Sequence, residues 1–137
     1  TLLITMNLQT IAQMSCNPAM GGIAKGQIVR EIDALGGYSG IVSDRSAIQY
    51  KMLNQSKGPA MWSPRVQSDR SMFSLEWRSM LEKPPILDFY QEMGVDLIVE
   101  NQQIHGVITS LGIKIYAKHV VVTTGTFIIC VINILDI

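Results

Sequence analysis

The sequence contains little cysteine, little charge and few aromatic residues. Its two cysteines cannot form a disulfide framework and no Cys-x-x-Cys pair offers a zinc site, so a reducing compartment is expected. Charged residues make up 16% of the chain, and eleven basic side chains balance eleven acidic ones. This balance argues against a protein whose main task is to coat nucleic acid. With 47% hydrophobic residues the chain is not intrinsically disordered, and its 137 residues allow one domain or part of a larger one.

Both ends of the sequence are apolar. The start, Thr1 to Thr5, is a β-branched run that predicts a buried strand of a parallel sheet rather than a signal peptide. The end, residues 120–137, is almost continuously apolar, but threonines and a glycine at 123–126 interrupt it. We therefore expect two buried strands around a Thr/Gly turn rather than a membrane span. Both ends resemble cuts through a hydrophobic core, so the chain is expected to be a fragment.

The middle of the chain predicts an α/β domain with an antiparallel insert. Helices are predicted over about 27–35, ended by Gly36-Gly37, and from Ser63-Pro64 to about Lys83. Four segments of period two are predicted as strands, and three of them in sequence are predicted to make a meander: 87–92, 96–100, 106–110 and 113–117. A final buried strand of parallel-sheet type is predicted over 120–122. Residues 38–54 have mixed periodicity and give no prediction.

The stretch from Ser15 to Gly22 is the most informative for function. Several glycines ahead of a helix let backbone N–H groups approach an anion or a planar ring closely. Lys25 adds a positive charge at the start of that helix, which is unfavourable unless an anion compensates it. A thiol beside such a loop, here Cys16, can act as a nucleophile. The alternative, a small buried cysteine next to a tight turn, is favoured by sequence physics alone for a cysteine without a placed partner.

Three other features are less specific. Thr123-Thr124-Gly125 follows a predicted strand, and ligands bind at such strand ends, although Thr-Gly also ends many strands for packing reasons. Five basic residues are typical of a solvated helix face or, alternatively, of contacts with RNA phosphates: Lys51, Lys57, Arg65, Arg70 and Arg78. His105 and His119 lack the spacing of metal ligands, so no metal site is predicted.

The cysteine-containing stretch resembles a known family. Residues 13–26 read Gln-Met-Ser-Cys-Asn-Pro-Ala-Met-Gly-Gly-Ile-Ala-Lys-Gly, and residues 31–37 read Glu-Ile-Asp-Ala-Leu-Gly-Gly. These runs resemble the MnmG (GidA) family of tRNA uridine 5-carboxymethylaminomethyl modification enzymes, and the Cys-Asn-Pro-Ala run is specific to it. Further matches lie at 48–49, 53–54, 56–60, 65–70 and 124–127. The resemblance covers residues 1–127, and the apolar tail 128–137 diverges.

The resemblance implies a partial FAD-binding, Rossmann-like domain of the glutathione-reductase-like group, truncated at both ends, with the meander at about 86–117. Family members bind FAD, take hydride from NADH and modify C5 of wobble uridine 34 of tRNA together with the GTPase MnmE. The added group is carboxymethylaminomethyl or aminomethyl, with carbon from methylenetetrahydrofolate. The full-length protein is expected to be a cytoplasmic bacterial or an organellar homodimer, a heterotetramer with MnmE, and not membrane-bound. Because the family's Gly-x-Gly-x-x-Gly loop is absent, this chain alone is expected to be inactive.

The resemblance also implies roles for individual residues. Cys16 matches a candidate catalytic cysteine, and three basic residues match candidate tRNA contacts: Lys57, Arg65 and Arg70. The residues matched to cofactor binding are Asn17, Gly21, Gly22, Lys25, Met93, Gly94, Thr124 and Gly125. Cys130 lies in the divergent tail and inherits no role. Two alternatives stay open: a non-catalytic RNA-binding or scaffold remnant of the same fold, and another flavin oxidoreductase.

Overall fold

The structure is a computed structural model that describes residues 1–123 and the backbone of residues 132–135. The chain forms two compact units, one made of Thr1–Ile11 with Leu81–Ile137 and the other of Ala12–Met80. The predicted Thr/Gly turn, with Thr124 and Gly125, lies outside the described residues. Within the described part of the chain, no helix is long and apolar enough to cross a membrane.

The first unit contains a four-stranded sheet of order β5-β1-β10-β9. Its strands are β1 (Leu2–Thr5), β5 (Asp88–Gln91), β9 (His119–Val122) and β10 (Ile132–Leu135). The strand predicted at the start of the chain is confirmed as β1, which runs parallel to β5 and antiparallel to β10. The buried strand of parallel-sheet type predicted over 120–122 forms as β9, but two parts of that prediction were wrong. Strand β9 pairs antiparallel with β10, and Val121 and Val122 are 41% and 50% exposed. A run of β-branched residues indicates a strand, but it determines neither the direction in which that strand pairs nor how far it is buried.

The predicted meander is confirmed as a three-stranded antiparallel sheet in the same unit. It consists of β6 (Gly94–Glu100), β7 (Gln103–Thr109) and β8 (Lys114–Tyr116). Asn101 and Gln102 connect the first two strands with φ of 50° and 64°, the backbone that a tight hairpin requires. The core of the unit forms around Ile4 and Val107, both fully buried.

The second unit contains a three-stranded antiparallel sheet of order β2-β4-β3. Its strands are β2 (Ala19–Gly21), β3 (Ala47–Leu53) and β4 (Ser63–Ser68), and its helices are α1 (Lys25–Ala34), α2 (Ser39–Arg45) and α3 (Arg70–Leu81). The prediction of α1 is confirmed, and it ends before Gly36, whose φ is 88°. The stretch without a prediction forms α2 and β3, and the five basic residues do not share one helix face because they lie on different elements.

Helix α3 begins later than the Ser-Pro pair predicted. Ser63 and Pro64 lie in β4, which pairs with strands on both sides, because proline favours an extended conformation in the residue before it. The residue that caps the helix is Asp69, whose Oδ1 accepts a hydrogen bond from the Met72 amide at 2.8 Å. The predicted helix start was therefore wrong, whereas the observed end at Leu81 is close to the predicted one.

Helix α1 does not bury the apolar face that its spacing predicted. Ile28, Ile32 and Leu35 are 54%, 39% and 90% exposed, and only Gly26 of this helix is buried. Val29 lines a cavity between the helix and the sheet. The periodicity thus predicted the helix correctly, but most of its apolar stripe is uncovered within the described residues.

Candidate functional site

The loop from Ser15 to Pro18 is called the cysteine loop below. Two of its backbone carbonyls accept hydrogen bonds from residues outside the loop. The Arg70 guanidinium donates from Nη2 to the Cys16 carbonyl oxygen at 2.6 Å. The Ser68 amide donates to the Pro18 carbonyl oxygen at 2.8 Å. Cys16 is exposed and not part of a disulfide, and the Ser15 hydroxyl lies 3.8 Å from its Sγ. The junction of β4 and α3 therefore fixes the backbone of a loop that presents its thiol outward, against the prediction of a buried cysteine.

We expect Arg70→Gln to loosen the cysteine loop. A hydrogen bond from an exposed charged group is worth about 1 kcal/mol, so amides in this segment should exchange with solvent about fivefold faster. Hydrogen-exchange mass spectrometry of the peptide spanning residues 14–19 measures this. Arg45→Gln is the matched control, since it removes a guanidinium that pairs instead with Glu76 at 3.2 Å. Equal exchange in Arg70→Gln and the unaltered chain would show that Ser68 alone holds the loop.

The segment from Gly21 to Gly26, called the glycine bend, is packed closely against β4. Gly21 and Gly22 have φ of 86° and 103°, a region that side chains rarely adopt. A Cβ at Gly21 would overlap the Pro64 carbonyl oxygen, and one at Gly26 would lie 3.1 Å from the same atom. The glycines are thus required for packing. The amide of Gly22 is also engaged, donating to Pro64 at 2.8 Å, so this N–H does not face a ligand as the sequence suggested.

Four of the predicted cations of the second unit lie at separate places. Lys25 is the exposed first residue of α1, whose first turn has no acidic residue and no side-chain cap. Arg65 lies in β4 and packs its Cδ 3.9 Å from where a Cβ of Gly22 would stand. Lys57 ends a 3₁₀ turn and is exposed. Arg65 therefore adjoins the glycine bend, whereas Arg70 holds the cysteine loop.

An open cavity of about 200 Å³ lies between α1, α2 and the sheet of the second unit. Its lining is mostly apolar, including Met20, Val29 and Val66. Tyr50 and Asp44 stand in its wall, with the phenol donating to Asp44 Oδ1 at 3.3 Å. Lost solvation raises the pKa of Tyr50 above its ordinary value, and the Asp44 carboxylate adds to the effect.

Met93 and Gly94 lie in the first unit, in the turn that enters β6. The Met93 carbonyl accepts from the Ser110 amide at 2.8 Å, and the Met93 amide donates to Glu92 Oε1 at 2.9 Å. Two hydrogen bonds lower the pKa of Glu92 below its ordinary value: the one from the Ser110 hydroxyl has the larger effect, and the one from the Met93 amide the smaller. The turn therefore has a fixed backbone beside an ionised carboxylate.

The structure brings together only some of the predicted site residues. The second unit contains the cysteine loop, the glycine bend and Arg65, all arranged along β4. The first unit contains Met93 and Gly94. Sequence reasoning missed the residues that hold the site, Ser68 and Pro64, because they act through backbone atoms. The available signal was the residue before proline, which favours a strand over the predicted helix start.

A family model described as "Glucose inhibited division protein A" matches residues 1–136. The chain belongs to this family. The predicted resemblance is confirmed by relatives named "tRNA uridine 5-carboxymethylaminomethyl modification enzyme MnmG". The one from Flavobacterium johnsoniae is 74% identical over 134 residues, and the one from Christiangramia forsetii 73% identical over 136. These alignments cover 98% and 99% of this chain but 22% of each relative, so the chain spans about a fifth of their length.

Solved structures of family members have the same fold. GidA of Aquifex aeolicus in its form I crystal superposes with a TM-score of 0.87 at 52% identity, covering 93% of this chain and 21% of that protein. The form II crystal gives a TM-score of 0.82 at 44% identity, covering 91% of this chain and 22% of that protein. The predicted class, α/β with an antiparallel meander, is therefore confirmed for this family member.

Proposed function

We propose that the chain supplies the thiol-bearing part of an FAD-dependent enzyme that modifies C5 of wobble uridine 34 in tRNA. The relatives named for tRNA uridine modification, 73–74% identical over nearly the whole chain, support the reaction. The observation that carries the proposal is the exposed Cys16 thiol on a loop whose backbone is fixed by Arg70 and Ser68. A reactive group held on a rigid support is what positioned chemistry requires.

Cys16 is the proposed nucleophile or acid/base group. The exposed position of the thiol leaves it open to an approaching pyrimidine, and the two carbonyl contacts keep its loop from swinging away. Its partner in proton transfer is proposed to come from the substrate complex. Among the described residues, the one hydroxyl bonded to Sγ is that of Ser15.

The cations and the glycine bend fit a phosphate-bearing cofactor such as FAD. The Lys25 side chain has no hydrogen-bond or ion-pair partner among the described residues, and the residue begins a helix with no acid in its first turn. FAD, when bound and reduced by NADH, supplies the hydride chemistry. The residues proposed to contribute to FAD binding in the full-length enzyme are those that the family resemblance matches: Asn17, Gly21, Gly22, Lys25, Met93 and Gly94, with Thr124 and Gly125 beyond the described residues. Gly22 would act through its bare Cα, since its amide is engaged.

The wider setting follows from the same proposal. The full-length enzyme would use methylenetetrahydrofolate as carbon source, act as a cytoplasmic homodimer and assemble with the GTPase MnmE. Residues 1–127 would form part of its FAD-binding domain, with the meander inside it. Lys57 and Arg65 are proposed to meet tRNA, while Arg70 is proposed to act mainly by holding the cysteine loop.

A graft into a relative tests the proposal. Residues 1–127 replace the matching stretch of the Flavobacterium johnsoniae enzyme, in cells lacking their own copy, and modified uridine in tRNA is measured by nucleoside mass spectrometry. We expect the graft to restore the modification and Cys16→Ser to lower its rate at least about 100-fold. Ser71→Ala, an exposed change in the same unit, serves as the control and should keep the activity.

Three results would contradict the proposed function. A graft that purifies without flavin absorbance would refute the cofactor assignment. A Cys16→Ser graft that binds flavin and still modifies tRNA at the full rate would remove the thiol from the chemistry. A graft that binds tRNA without modifying it would favour the scaffold alternative.

A further inference from the structure

The sheet of the second unit has two chemically different faces. Met20, Val66 and Tyr50 are register partners across the three strands, and all line the cavity beneath α1 and α2. Side chains alternate along a strand, so the next row of partners faces the other way. That row is Gly21, Arg65 and Lys51. The Arg65 side chain lies beside Gly22, since a Cβ built on Gly22 would be 3.9 Å from Arg65 Cδ.

The second face carries cations and amides but no carboxylate. Its register rows contain Lys51 opposite Arg65 and Gln49 opposite Gln67 on β3 and β4. We call these four residues the basic sheet face. On β2 the matching positions are Gly21, which has no side chain and also borders the cavity, and Ala19, which is buried, so β3 and β4 supply the polar side chains of this face. The chain as a whole is neutral, so this local excess of two positive charges is a property of the face.

The two cations lack the counter-ions that would normally accompany them. Neither the Lys51 nor the Arg65 side chain has an ion pair or hydrogen bond among the described residues, although Arg65 is half-buried. Like charges directly opposite each other on adjacent strands destabilise a sheet. An anionic ligand would remove this repulsion, so the arrangement is better explained by binding than by folding.

We propose that the basic sheet face binds the phosphate backbone of RNA. This inference rests on the proposed function, since a tRNA-modifying enzyme must hold its polyanionic substrate. Charge complementarity selects the ligand: arginine and lysine side by side match adjacent phosphates, and glutamine amides bond to phosphate or sugar oxygens. Gly21 of the glycine bend is the register partner of Arg65 in this face. The bound RNA strand would therefore lie along β4, the strand whose Ser68 also bonds the cysteine loop.

The test is the binding of a fluorescently labelled tRNA anticodon stem-loop to the 137-residue chain at two salt concentrations. Each lost phosphate contact reduces the slope of log affinity against log salt by about 0.7–0.9. We expect Lys51→Gln combined with Arg65→Gln to reduce the slope by about 1.5 and to weaken binding at least about tenfold at low salt. Tryptophan fluorescence checks that each variant is folded.

A matched control removes two positive charges elsewhere. Lys114→Gln with Lys118→Gln changes the net charge equally at exposed positions of the meander unit. This variant should keep the slope. If both double variants reduce the salt slope equally, binding is non-specific electrostatic attraction and the proposal is overturned. The proposal is also overturned if the unaltered chain binds no RNA. Should the Gln pair unfold the chain, Lys51→Arg with Arg65→Lys keeps the charge and must retain the slope.

A competition arm separates RNA from a cofactor phosphate. Excess unlabelled stem-loop should displace the labelled one, whereas pyrophosphate or FAD at the same phosphate concentration should not. Displacement by pyrophosphate or FAD alone would assign the face to a cofactor and overturn the RNA proposal. Failure here leaves the thiol test in the graft unaffected, and failure of that test leaves this binding result unaffected.

Discussion

Gly21→Ala is expected to lower the free energy of unfolding of the second unit by about 4 kcal/mol or more. An alanine held at φ near 86° costs about 1–2 kcal/mol. Its Cβ would also overlap the Pro64 carbonyl oxygen, so β2 must shift away from β4 and the bond from Gly22 to Pro64 weakens. Urea denaturation followed by tryptophan fluorescence measures the loss, since Trp62 and Trp77 both lie in this unit.

Gly36→Ala separates the two causes. Gly36 has nearly the same φ, 88°, but nothing lies within 4 Å of the position its Cβ would take. This variant should therefore lose only about 1 kcal/mol, the cost of the backbone conformation. Similar losses for both variants would mean that Pro64 yields easily and that the glycine bend is not tightly held.

Ile4→Ala is expected to destabilise the first unit by about 3 kcal/mol. Ile4 is fully buried against Val107, so truncation loses apolar burial and leaves a cavity between the two sheets. Hydrogen exchange of the amides in β1 and β7 measures the change, because these strands carry the two buried residues. Protection in both strands should fall together.

Ile86→Ala is the control for this truncation. It removes the same atoms from a side chain that is 74% exposed in the same unit, so the change should be below about 0.5 kcal/mol. If Ile4→Ala costs no more than Ile86→Ala, the contact between Ile4 and Val107 does not stabilise the unit.

Elements marked by local chemistry could be predicted from the sequence. The meander carries its turn residues at Asn101-Gln102 and Gly112, and α1 ends at glycines, so both were predicted within a few residues. Asp69 carries an equally local capping signal, but Ser63-Pro64 competed with it and β4 was taken for helix. The choice between them depends on pairing with β2 and β3, which are distant in sequence.

The candidate site could be predicted in its residue types but not in its construction. Cys16 and the glycines stood out as a motif, yet the bond from Arg70 to Cys16 spans 54 residues of chain. The pairing of Lys51 with Arg65 depends on strand register, which no spacing within one segment encodes. The hydrogen bond of the Gly22 amide was not predictable for the same reason, because its acceptor, Pro64, lies on another strand.

The residues at the junction of β4 and α3 bond segments that are synthesised before them. Ser68 and Arg70 bond the cysteine loop, and the Asp69 amide donates to the Ser46 carbonyl at 2.8 Å. Three consecutive residues thus anchor two segments made earlier by the ribosome. In a nascent polypeptide the cysteine loop lacks these hydrogen bonds until residues 68–70 have emerged, so its backbone is fixed only after most of its unit has been translated.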